Sequence, residues 1–581
     1  MMCSIAAMMN LQRIAISAVL ALGMIACGPA SGVDQHDDAH AMLTIDPPTS
    51  ELLIENGTPA KASFTATLTY PDGETRDVTN EVRFSIDTGY GMFAGPELTM
   101  QSAGKTNVYA SLTDKLASAE VIARLKSIRI DPALPANIGG LFSTLPEDPS
   151  RAPDVVYPPA DVVMPRNLGE FEVHWTDSAN DVFEISLKTE FADVRVIVPG
   201  GNGSINNSSW MEFLATEWLS AISYEQTVLY QVRGISSSNP TVIGSTAPRL
   251  VKLSNEQMLG GLYYRAAAAQ NNGAYGIFRH DMAKPGQPAE EFMTTSQTGG
   301  RCVACHVLSR DGSKMSVTYD GGNGAATMVD VATKQAQTSK RGWNFGAFTP
   351  DGSKFLAVQD GALAVLDYAT QNQLATMPSA SRISHPDLSA DGTKLVYAVQ
   401  NGTASDWSFN GGRLYWRTFD AATNTFGPEQ MLVSDTNNNY YPSFSPDGQW
   451  VLFNRSPSGS SYNNNNASLW VVKADGSMPA VQLDAANSGM GLTNSWGRWA
   501  PFQQTIGSNN EPMYWITVSS TRDFGVRLVS QHRPQIWMTP FYPTRANTQL
   551  DPSAKSFRLP FQNITSNNHI AQWTEQIVAP Q

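Results

Sequence analysis

A five-residue pattern recurs through the second half of the chain and constrains the fold more than any other feature. Each full copy has an apolar residue, then Ser or Thr, a variable residue and Asp-Gly, followed by a run of β-forming residues. Four clear copies and one degenerate copy lie at 308–312, 348–352, 388–392, 444–448 and 499–502. Because Asp-Gly forms tight hairpin turns, each copy predicts two antiparallel strands, and their recurrence predicts a repeat architecture of small sheets.

These copies resemble the repeats of TolB-type β-propellers, and the resemblance extends from about residue 258 to the C-terminus. It implies one sheet, or blade, for each copy. The strands predicted at 260–295 lack an Asp-Gly copy, whereas the strand predicted at 569–574 has no blade of its own. Joining the two gives a sixth blade and leaves no exposed edge. We therefore predict a six-bladed propeller over 258–581 that the C-terminal strand closes.

Residues 42–125 have the short alternating strands and turn residues of a β-sandwich. Tyr-Pro-Asp-Gly at 70–73, Asp-Val-Thr at 77–79 and Gly-Lys-Thr at 104–106 resemble, in this order, bacterial immunoglobulin-like repeats. The resemblance implies a spacer or adhesive module and no catalysis.

Residues 127–255 predict a second β-sandwich. Its clearest strands are Phe-Glu-Val-His-Trp at 171–175 and Tyr-Gln-Val-Arg-Gly at 230–234, and the pattern is similar to fibronectin type III domains. The predicted fold class is therefore all-β, with two N-terminal sandwiches followed by a six-bladed propeller.

The N-terminus has the features of a targeting segment. Arg13 precedes an apolar run at 14–25 that is too short to cross a membrane comfortably, and a small residue precedes Cys27. This resembles a bacterial lipobox, which implies removal of residues 1–26, acylation of Cys27 and a flexible polar tether over 27–41. The alternative is an ordinary secretory signal in which Cys27 occurs by chance.

The composition narrows the range of partners. The formal net charge is −13, and only 16% of the residues are charged. Nucleic-acid binding needs basic patches, so we expect no nucleic-acid partner. With a lipid on Cys27, the protein is expected in the bacterial cell envelope, on the periplasmic or the cell-surface face of the outer membrane.

Only two of the four cysteines remain once the predicted signal peptide and lipid anchor are set aside. Cys302, Cys305 and His306 form Cys-x-x-Cys-His, the attachment signature of haem c. Two thiols at this spacing add to the two vinyl groups of one porphyrin, and the adjacent imidazole is an iron ligand. The motif therefore predicts one covalent haem c, with these three residues as its binding site.

The same two thiols have other uses in proteins. A disulfide between Cys302 and Cys305 suits an oxidising compartment. A zinc site needs a fourth ligand and usually more cysteines, and a thioredoxin-like motif needs a βαβ context that this sequence lacks. The disulfide is thus the main alternative to haem. No helical cytochrome domain surrounds the motif, which lies among the propeller repeats.

The repeat register predicts where the motif lies in the propeller. The positions six residues before each Asp, extended to the degenerate copy, are Cys305, Phe345, His385, Tyr441 and Trp496. The sixth blade adds His569 or Ile570. Inner strands line the channel of a propeller and begin on one face. We therefore expect the haem over one mouth of the channel, surrounded by these side chains.

The iron needs a sixth ligand for pure electron transfer, or an open position for ligand binding and redox chemistry. Besides His306, the candidate metal ligands are His385 and His569. His385 lies two blades from the motif, which is a better span for a haem than the adjacent blade of His569. Met315 follows an Asp-Gly turn and is expected near the opposite end of its blade.

These features predict a lipid-anchored envelope protein that carries one haem c, for electron transfer or for redox or ligand sensing with a redox or protein partner. Two alternatives remain open. One is a propeller scaffold without haem that binds protein or glycan partners. The other is a haem-dependent enzyme such as a peroxidase, if the iron is five-coordinate.

The predicted lipid anchor can be tested directly. Replacing Cys27 by Ser should release the protein from the membrane fraction, because the acyl chains on this thiol are its expected membrane contact. Membrane flotation followed by immunoblotting measures the change. If the Cys27→Ser protein stays as membrane-bound as the wild type, the anchor is elsewhere.

Overall fold

The structure is a computed structural model that describes residues 40–579, except residues 88, 269–274, 322–324, 401–404 and 490. The predicted signal peptide and Cys27 lie outside these residues. Almost every regular element is a β-strand, which confirms the all-β prediction. None of the helices in the described ranges is long and apolar enough to span a bilayer.

The first sandwich is built from ten strands. They are β1 (Met42–Asp46), β2 (Thr49–Glu55), β3 (Ala60–Ser63), β4 (Thr65–Thr69), β5 (Thr75–Asp77), β6 (Arg83–Ile86), β7 (Gly91–Ala94), β8 (Glu97–Met100), β9 (Gly104–Leu112) and β10 (Lys115–Ile130). Buried and exposed side chains alternate along β9. This alternation sends Val108 and Ala110 into a core that also contains Phe64 and Leu68.

The second sandwich has nine strands and two helices. They are α1 (Leu141–Thr144), β11 (Asp154–Tyr157), β12 (Val163–Met164), β13 (Phe171–Thr176), β14 (Val182–Lys188), β15 (Ala192–Pro199), β16 (Ser208–Phe213), α2 (Ala215–Ile222), β17 (Thr227–Ile235), β18 (Gly244–Ser245) and β19 (Arg249–Leu253). Strands β13 and β14 are buried almost throughout, because both of their faces are covered.

One long strand joins the two sandwiches. Strand β10 pairs in parallel with β2 of the first sandwich and with β15 of the second, and Lys126 has partners in both strands. The boundary predicted between residues 125 and 127 therefore lies inside a continuous strand. The two sandwiches share a ten-stranded sheet, so they form a stiff unit without a flexible linker.

The propeller has six blades, as the repeat predicts. Its 25 strands are β20 (Gly261–Ala268), β21 (Gly276–Asp281), β22 (Glu290–Thr294), β23 (Val303–Leu308), β24 (Lys314–Tyr319), β25 (Ala325–Asp330), β26 (Arg341–Gly342), β27 (Phe345–Phe348), β28 (Lys354–Gln359), β29 (Ala362–Asp367), β30 (Gln373–Thr376), β31 (Ile383–Leu388), β32 (Lys394–Val399), β33 (Arg413–Asp420), β34 (Thr425–Phe426), β35 (Gln430–Val433), β36 (Asn438–Phe444), β37 (Trp450–Ser456), β38 (Ser468–Lys473), β39 (Val481–Gln482), β40 (Ser495–Ile506), β41 (Glu511–Ser520), β42 (Gln535–Phe541), β43 (Phe557–Arg558) and β44 (Ser566–Thr574), with α3 (Pro543–Ala546) after β42.

The blades follow the chain. Blade 1 holds β20–β22 and β44, blade 2 holds β23–β26, and blade 3 holds β27–β30. Blades 4, 5 and 6 hold β31–β35, β36–β39 and β40–β43. The innermost strands are β44, β23, β27, β31, β36 and β40. All six blades are antiparallel meanders, which suits the short connections within each repeat.

The Asp-Gly turns are held by side-chain hydrogen bonds, which explains the pattern in the sequence. In blade 3, Thr349 Oγ1 donates to Asp351 Oδ1 over 2.6 Å, and Ser353 N donates to the same oxygen over 3.1 Å. These bonds lower the pKa of Asp351 to about 2. Gly352 has φ +64°, a conformation that glycine adopts without strain. The turn residues are structural, as expected.

The C-terminal strand closes the ring. Strand β44 pairs with β20 as the innermost strand of blade 1, from Gly261 opposite Thr574 to Ala266 opposite Asn568 and beyond. It begins at Ser566, three residues earlier than predicted, and ends at Thr574. Trp573 of this strand is half-buried. Its indole Nε1 donates to Thr517 Oγ1 of blade 6 over 3.0 Å.

The second sandwich packs directly on blade 6. His174 alternates with Val173 and Trp175 in the sequence, a pattern that predicts an exposed strand residue, but it is fully buried there. Its Nε2 lies 2.9 Å from Glu172 Oε2, and Val526 N donates to Nδ1 over 3.3 Å. Arg527 Nη1 donates to the same Glu172 oxygen over 2.8 Å. This charged contact, which a lone strand pattern cannot reveal, fixes the sandwich against the propeller.

Ring closure predicts that a short C-terminal deletion is severe. Deleting residues 565–581 should lower the melting temperature and broaden the transition, because β20 loses its partner and the buried Ile570 and Ala571 are removed. Such losses are worth several kcal/mol, a large share of a domain's roughly 5–15 kcal/mol. Scanning calorimetry measures the effect.

The matched control deletes only residues 579–581, which follow β44 and the packed Ile577 and Val578 in the sequence. This shorter deletion should leave the melting temperature of the full chain unchanged. Equal melting of the 565–581 deletion and the full chain would contradict the closure.

Candidate functional site at the channel mouth

The Cys-x-x-Cys-His motif lies at the start of the innermost strand of blade 2. Val303–Leu308 is β23, and Cys302 immediately precedes it. Cys302 N donates to Asp320 Oδ1 over 3.1 Å, and Asp320 N donates back to the Cys302 carbonyl oxygen over 2.9 Å. The neighbouring hairpin strand therefore fixes the backbone at the first thiol.

A β-bulge interrupts the innermost strand of five blades at nearly the same height. The bulged pairs are Ala304-Cys305, His385-Pro386, Tyr441-Pro442, Trp496-Gly497 and Ile570-Ala571. In the last four pairs the first residue has φ between 48° and 58°. Such left-handed residues are costly without glycine and often mark functional sites. The sequence gives only a weak indication of these left-handed residues: each is followed by a proline or a small residue.

Each blade contributes one side chain to the channel, from a bulge in five blades and from the regular strand β27 in blade 3. Phe345 and His385 have ring centroids 4.3 Å apart, and His385 and Tyr441 have centroids 4.1 Å apart. Tyr441 stacks on Trp496 at 4.3 Å. Ile570 belongs to the same buried cluster, and Cys305 packs against it. The structure thus brings together the residues that the repeat register selected, and they form a plug across the channel.

The sixth position of this ring is Ile570 and not His569. Ile570 has the left-handed φ of +58° that His385, Tyr441 and Trp496 share. His569 is opposite Arg265 in the β20–β44 ladder, and burial lowers its pKa to about 4. The three candidate metal ligands His306, His385 and His569 thus lie in separate places, and the described residues contain no cluster of three or more metal-binding side chains.

His385 has the tautomer of a hydrogen-bond donor. Its Nδ1 accepts the backbone N–H of Tyr441 over 3.4 Å, so the proton of the neutral ring is on Nε2. Burial lowers the pKa of His385 well below its usual value, which keeps the ring neutral. Nε2 is buried without a partner among the described residues, as is the Tyr441 hydroxyl. An imidazole in this state donates a hydrogen bond more readily than it binds a metal.

His306 lies on the other side of the strand, between blades 1 and 2. It is 2% exposed, and its Nδ1 lies 3.5 Å from the Ala304 carbonyl oxygen. The Tyr263 backbone of blade 1 also acts on the ring, but Nε2 has no partner within hydrogen-bond geometry in the described part of the chain. Burial lowers its pKa to about 4. The equivalent residues of the other blades are all small or cyclic: Gly346, Pro386, Pro442, Gly497 and Ala571.

The two thiols are not bonded to each other. Burial raises the pKa of the Cys305 thiol to about 11, so this thiol is protonated at neutral pH. The Cys302 sulfur lies 3.7 Å from Arg265 Nη2 of blade 1. Arg265 Nε is itself buried without a partner among the described residues. A guanidinium therefore stands beside the first thiol with unused donor capacity.

Met315 lies where the sequence predicted, away from the motif. It is fully buried and stands opposite Leu308, at the Asp-Gly end of β23. It packs in the core between blades 1 and 2 and does not face the channel mouth.

The fold and the site define a six-bladed β-propeller protein with Cys-x-x-Cys-His at the start of an innermost strand. No protein-family model matches the chain, and no curated protein matches it.

Solved structures of three β-rich proteins are similar to the chain at low identity. A TolB protein from Agrobacterium tumefaciens is 13% identical, covers 56% of this chain and 94% of its own, and has a TM-score of 0.30. An oligogalacturonate lyase in complex with manganese is 16% identical over 52% and 75%, with a TM-score of 0.31. Hydrazine synthase of Kuenenia stuttgartiensis is 14% identical over 42% and 78%, with a TM-score of 0.25. Likenesses this weak carry no argument about function.

The different surroundings of the two thiols predict different reactivity in the protein without haem. At neutral pH, iodoacetamide should alkylate Cys302 much faster than Cys305, because the thiolate reacts and burial keeps Cys305 protonated. Peptide mass spectrometry measures the two rates. In denaturant the two rates should become equal. Equal rates in the folded protein would show that Cys305 is not buried in the plug.

Proposed function

We propose that the chain binds one haem c through thioether bonds to Cys302 and Cys305, with His306 as an iron ligand. The proposed role is electron transfer or redox sensing in the cell envelope, where Cys27 would anchor the protein. The observation that supports this proposal best is the bonding state of the three side chains of the motif. Both thiols are unpaired, and the imidazole Nε2 is buried with no partner among the described residues.

The position of His306 argues against a purely structural role. A buried polar nitrogen without a hydrogen bond costs about 1–3 kcal/mol. The other five blades fill this position with small or cyclic residues, and a Cβ added at Gly346 would lie 2.1 Å from the Phe355 ring. Packing alone therefore favours a small residue here. A metal-binding role for the His306 imidazole would explain why blade 2 has a large residue at a position where the other blades have small or cyclic ones.

The donor set suits a haem. When bound, the haem would supply a redox-active iron, and the His306 imidazole would be one of its ligands. Arg265 would offer its free guanidinium nitrogens to a group that carries two propionate carboxylates. The ring plug of Phe345, Tyr441 and Trp496 would shield the motif from the rest of the channel. Iron ligands surrounded by apolar side chains are shielded from water, which tunes their potential.

The burial of His306 also sets an order of assembly. Its imidazole is 2% exposed and packs against blade 1, whose innermost strand β44 follows all the other propeller strands in the chain. A haem can reach this nitrogen only while the contact between blades 1 and 2 is open. Attachment is therefore expected before β44 closes the ring.

The tautomer of His385 favours sensing over simple electron transfer. With its proton on Nε2, His385 would offer a hydrogen-bond donor to a small ligand in the channel, and it is not suited to bind a metal through this nitrogen. Neither His385 nor His569 would then be a ligand of the iron. If His385→Ala and His569→Ala both keep the wild-type spectrum, an open position is supported.

Haem attachment is the main prediction. The protein made with a haem c maturation system should keep its haem through denaturing electrophoresis and gain the mass of one haem. Cys302→Ala with Cys305→Ala should abolish the covalent haem, because no other thiol of the mature chain lies in this motif. His306→Ala should alter the spectrum of any haem that is retained. Haem staining and intact-mass spectrometry measure these outcomes.

His532→Ala is the matched control, since this histidine is exposed and far from the motif in sequence, and it should behave like the wild type. A colourless wild-type protein with a quantitative Cys302–Cys305 disulfide would overturn the proposal and favour a scaffold without haem.

A further inference from the structure

A second mouth of the channel lies at the Asp-Gly end of the inner strands, opposite the motif. A cavity of about 170 Å³ opens there. Its floor is formed by the residues four before each repeat Asp, one from each blade: Val307, Ala347, Asp387, Ser443, Arg498 and Gln572. The plug separates this cavity from the motif. The six positions are equivalent in the repeat, yet blades 2 and 3 contribute apolar side chains and blades 4, 5, 6 and 1 contribute polar ones.

The polar floor contains two opposite charges that do not pair. Asp387 Oδ2 accepts the backbone N–H of Phe444 over 2.7 Å. The guanidinium of Arg498 makes one hydrogen bond in the described part of the chain, from Nη1 to the neighbouring Gly497 carbonyl oxygen over 2.9 Å. The negative charge of Asp387 favours the charged form of Arg498 and so acts to raise its pKa, but the two groups do not form an ion pair. Both groups are half-buried. Ser443 and the Leu388 backbone also hydrogen-bond to Asp387, so its carboxylate has neutral partners but no paired cation, and the Arg498 guanidinium has no paired anion.

A third group points to a ligand. Gln572 is 8% exposed and lines the cavity, and its Nε2 donor has no hydrogen-bond partner among the described residues. Arg498 and Gln572 come from the adjacent blades 6 and 1, so their free donors stand together. Asp387 comes from blade 4, on the other side of Ser443. The cavity thus offers hydrogen-bond donors with a positive charge at one side and a negatively charged acceptor at the other.

We propose that this cavity binds a small zwitterion of the α-amino-acid class, with its carboxylate at Arg498 and Gln572 and its ammonium group at Asp387. Such a ligand would pair with both half-buried charges and with the free amide at once. A simple anion would leave Asp387 without a counter-charge, and a simple cation would leave Arg498 without one.

The rim of the cavity restricts the size of the ligand. The lining at the mouth includes Pro350, Pro446 and Pro501, which are rigid, and Arg310, which is bound to Glu575. Half-buried Trp573 stands beside the entrance. Glycine, alanine and serine are therefore expected to bind better than amino acids with long or aromatic side chains.

Titration calorimetry on the whole chain tests the proposal with ligands that differ by one charge. Glycine should bind, whereas N-acetylglycine, which lacks the ammonium charge, and glycinamide, which lacks the carboxylate, should each bind on the order of tenfold to a hundredfold more weakly. These ligand comparisons use only the wild-type protein. They therefore stay informative even if substitutions of the floor residues prevent folding. Equal binding of glycine and N-acetylglycine, or no binding of any small amino acid, would overturn the proposal.

Variants assign the binding to this cavity. Asp387→Asn keeps an acceptor for the Phe444 N–H and should weaken glycine binding by a similar factor, as should Arg498→Lys, which loses the forked donor geometry. Arg413→Gln, an exposed position on β33 that does not line the cavity, is the matched control and should bind glycine like the wild type. Unchanged glycine binding by folded Asp387→Asn protein, with melting curves to show folding, would place the binding elsewhere. Tight binding of a neutral sugar with no response to glycine would also contradict the zwitterion site.

Discussion

The pairing of β44 with β20 is the constraint on which the propeller depends. The first three strands of blade 1 come from the start of the propeller segment, and its innermost strand comes from the end of that segment. The ring therefore exists only when the two ends of the propeller segment meet. A closed ring has no free sheet edge and forces six inner strands to face one axis. The plug, the motif beside it and the cavity beyond it all follow from that geometry. His306 is buried because blade 1 is complete.

The channel is divided into two chemically different halves by the plug. At the motif end, aromatic rings, an unpaired imidazole and two thiols lie near Arg265 and the Arg301–Asp320 ion pair. At the Asp-Gly end, Asp387, Arg498 and Gln572 make a polar floor. The bulges explain the division, because each turns one side chain into the axis and shifts the next out of it. One repeated backbone can therefore carry a proposed redox site and a binding cavity at opposite ends of the same axis, although the charge of Arg498 in the cavity acts on His306 and His385.

The repeat made the blades, their number, the closing strand and the channel-facing ring predictable, because Asp-Gly turns mark the same point of every blade. Other features depend on contacts between distant residues. The alternation of β10 continues through residue 126, so no local signal shows that one strand serves two sandwiches. His174 alternates with apolar neighbours like an exposed residue, yet blade 6 covers it. The choice of Ile570 over His569 rests on a left-handed backbone, which no sequence pattern encodes for isoleucine. The repeat register could also have predicted the residues of the cavity floor, which lie four positions before each Asp. Only the fold shows which polar groups of this floor lack partners.

The central claim is that the two thiols of an innermost propeller strand hold one haem, and the spectrum of its pyridine complex tests it most directly. Pyridine replaces the axial ligands, so the α band of the reduced complex depends on the number of vinyl groups that have been converted to thioethers. The account predicts one haem per chain with the band position of two thioether bonds. A band at the position of unmodified haem, or no haem at all after maturation outside the cytoplasm, would contradict it.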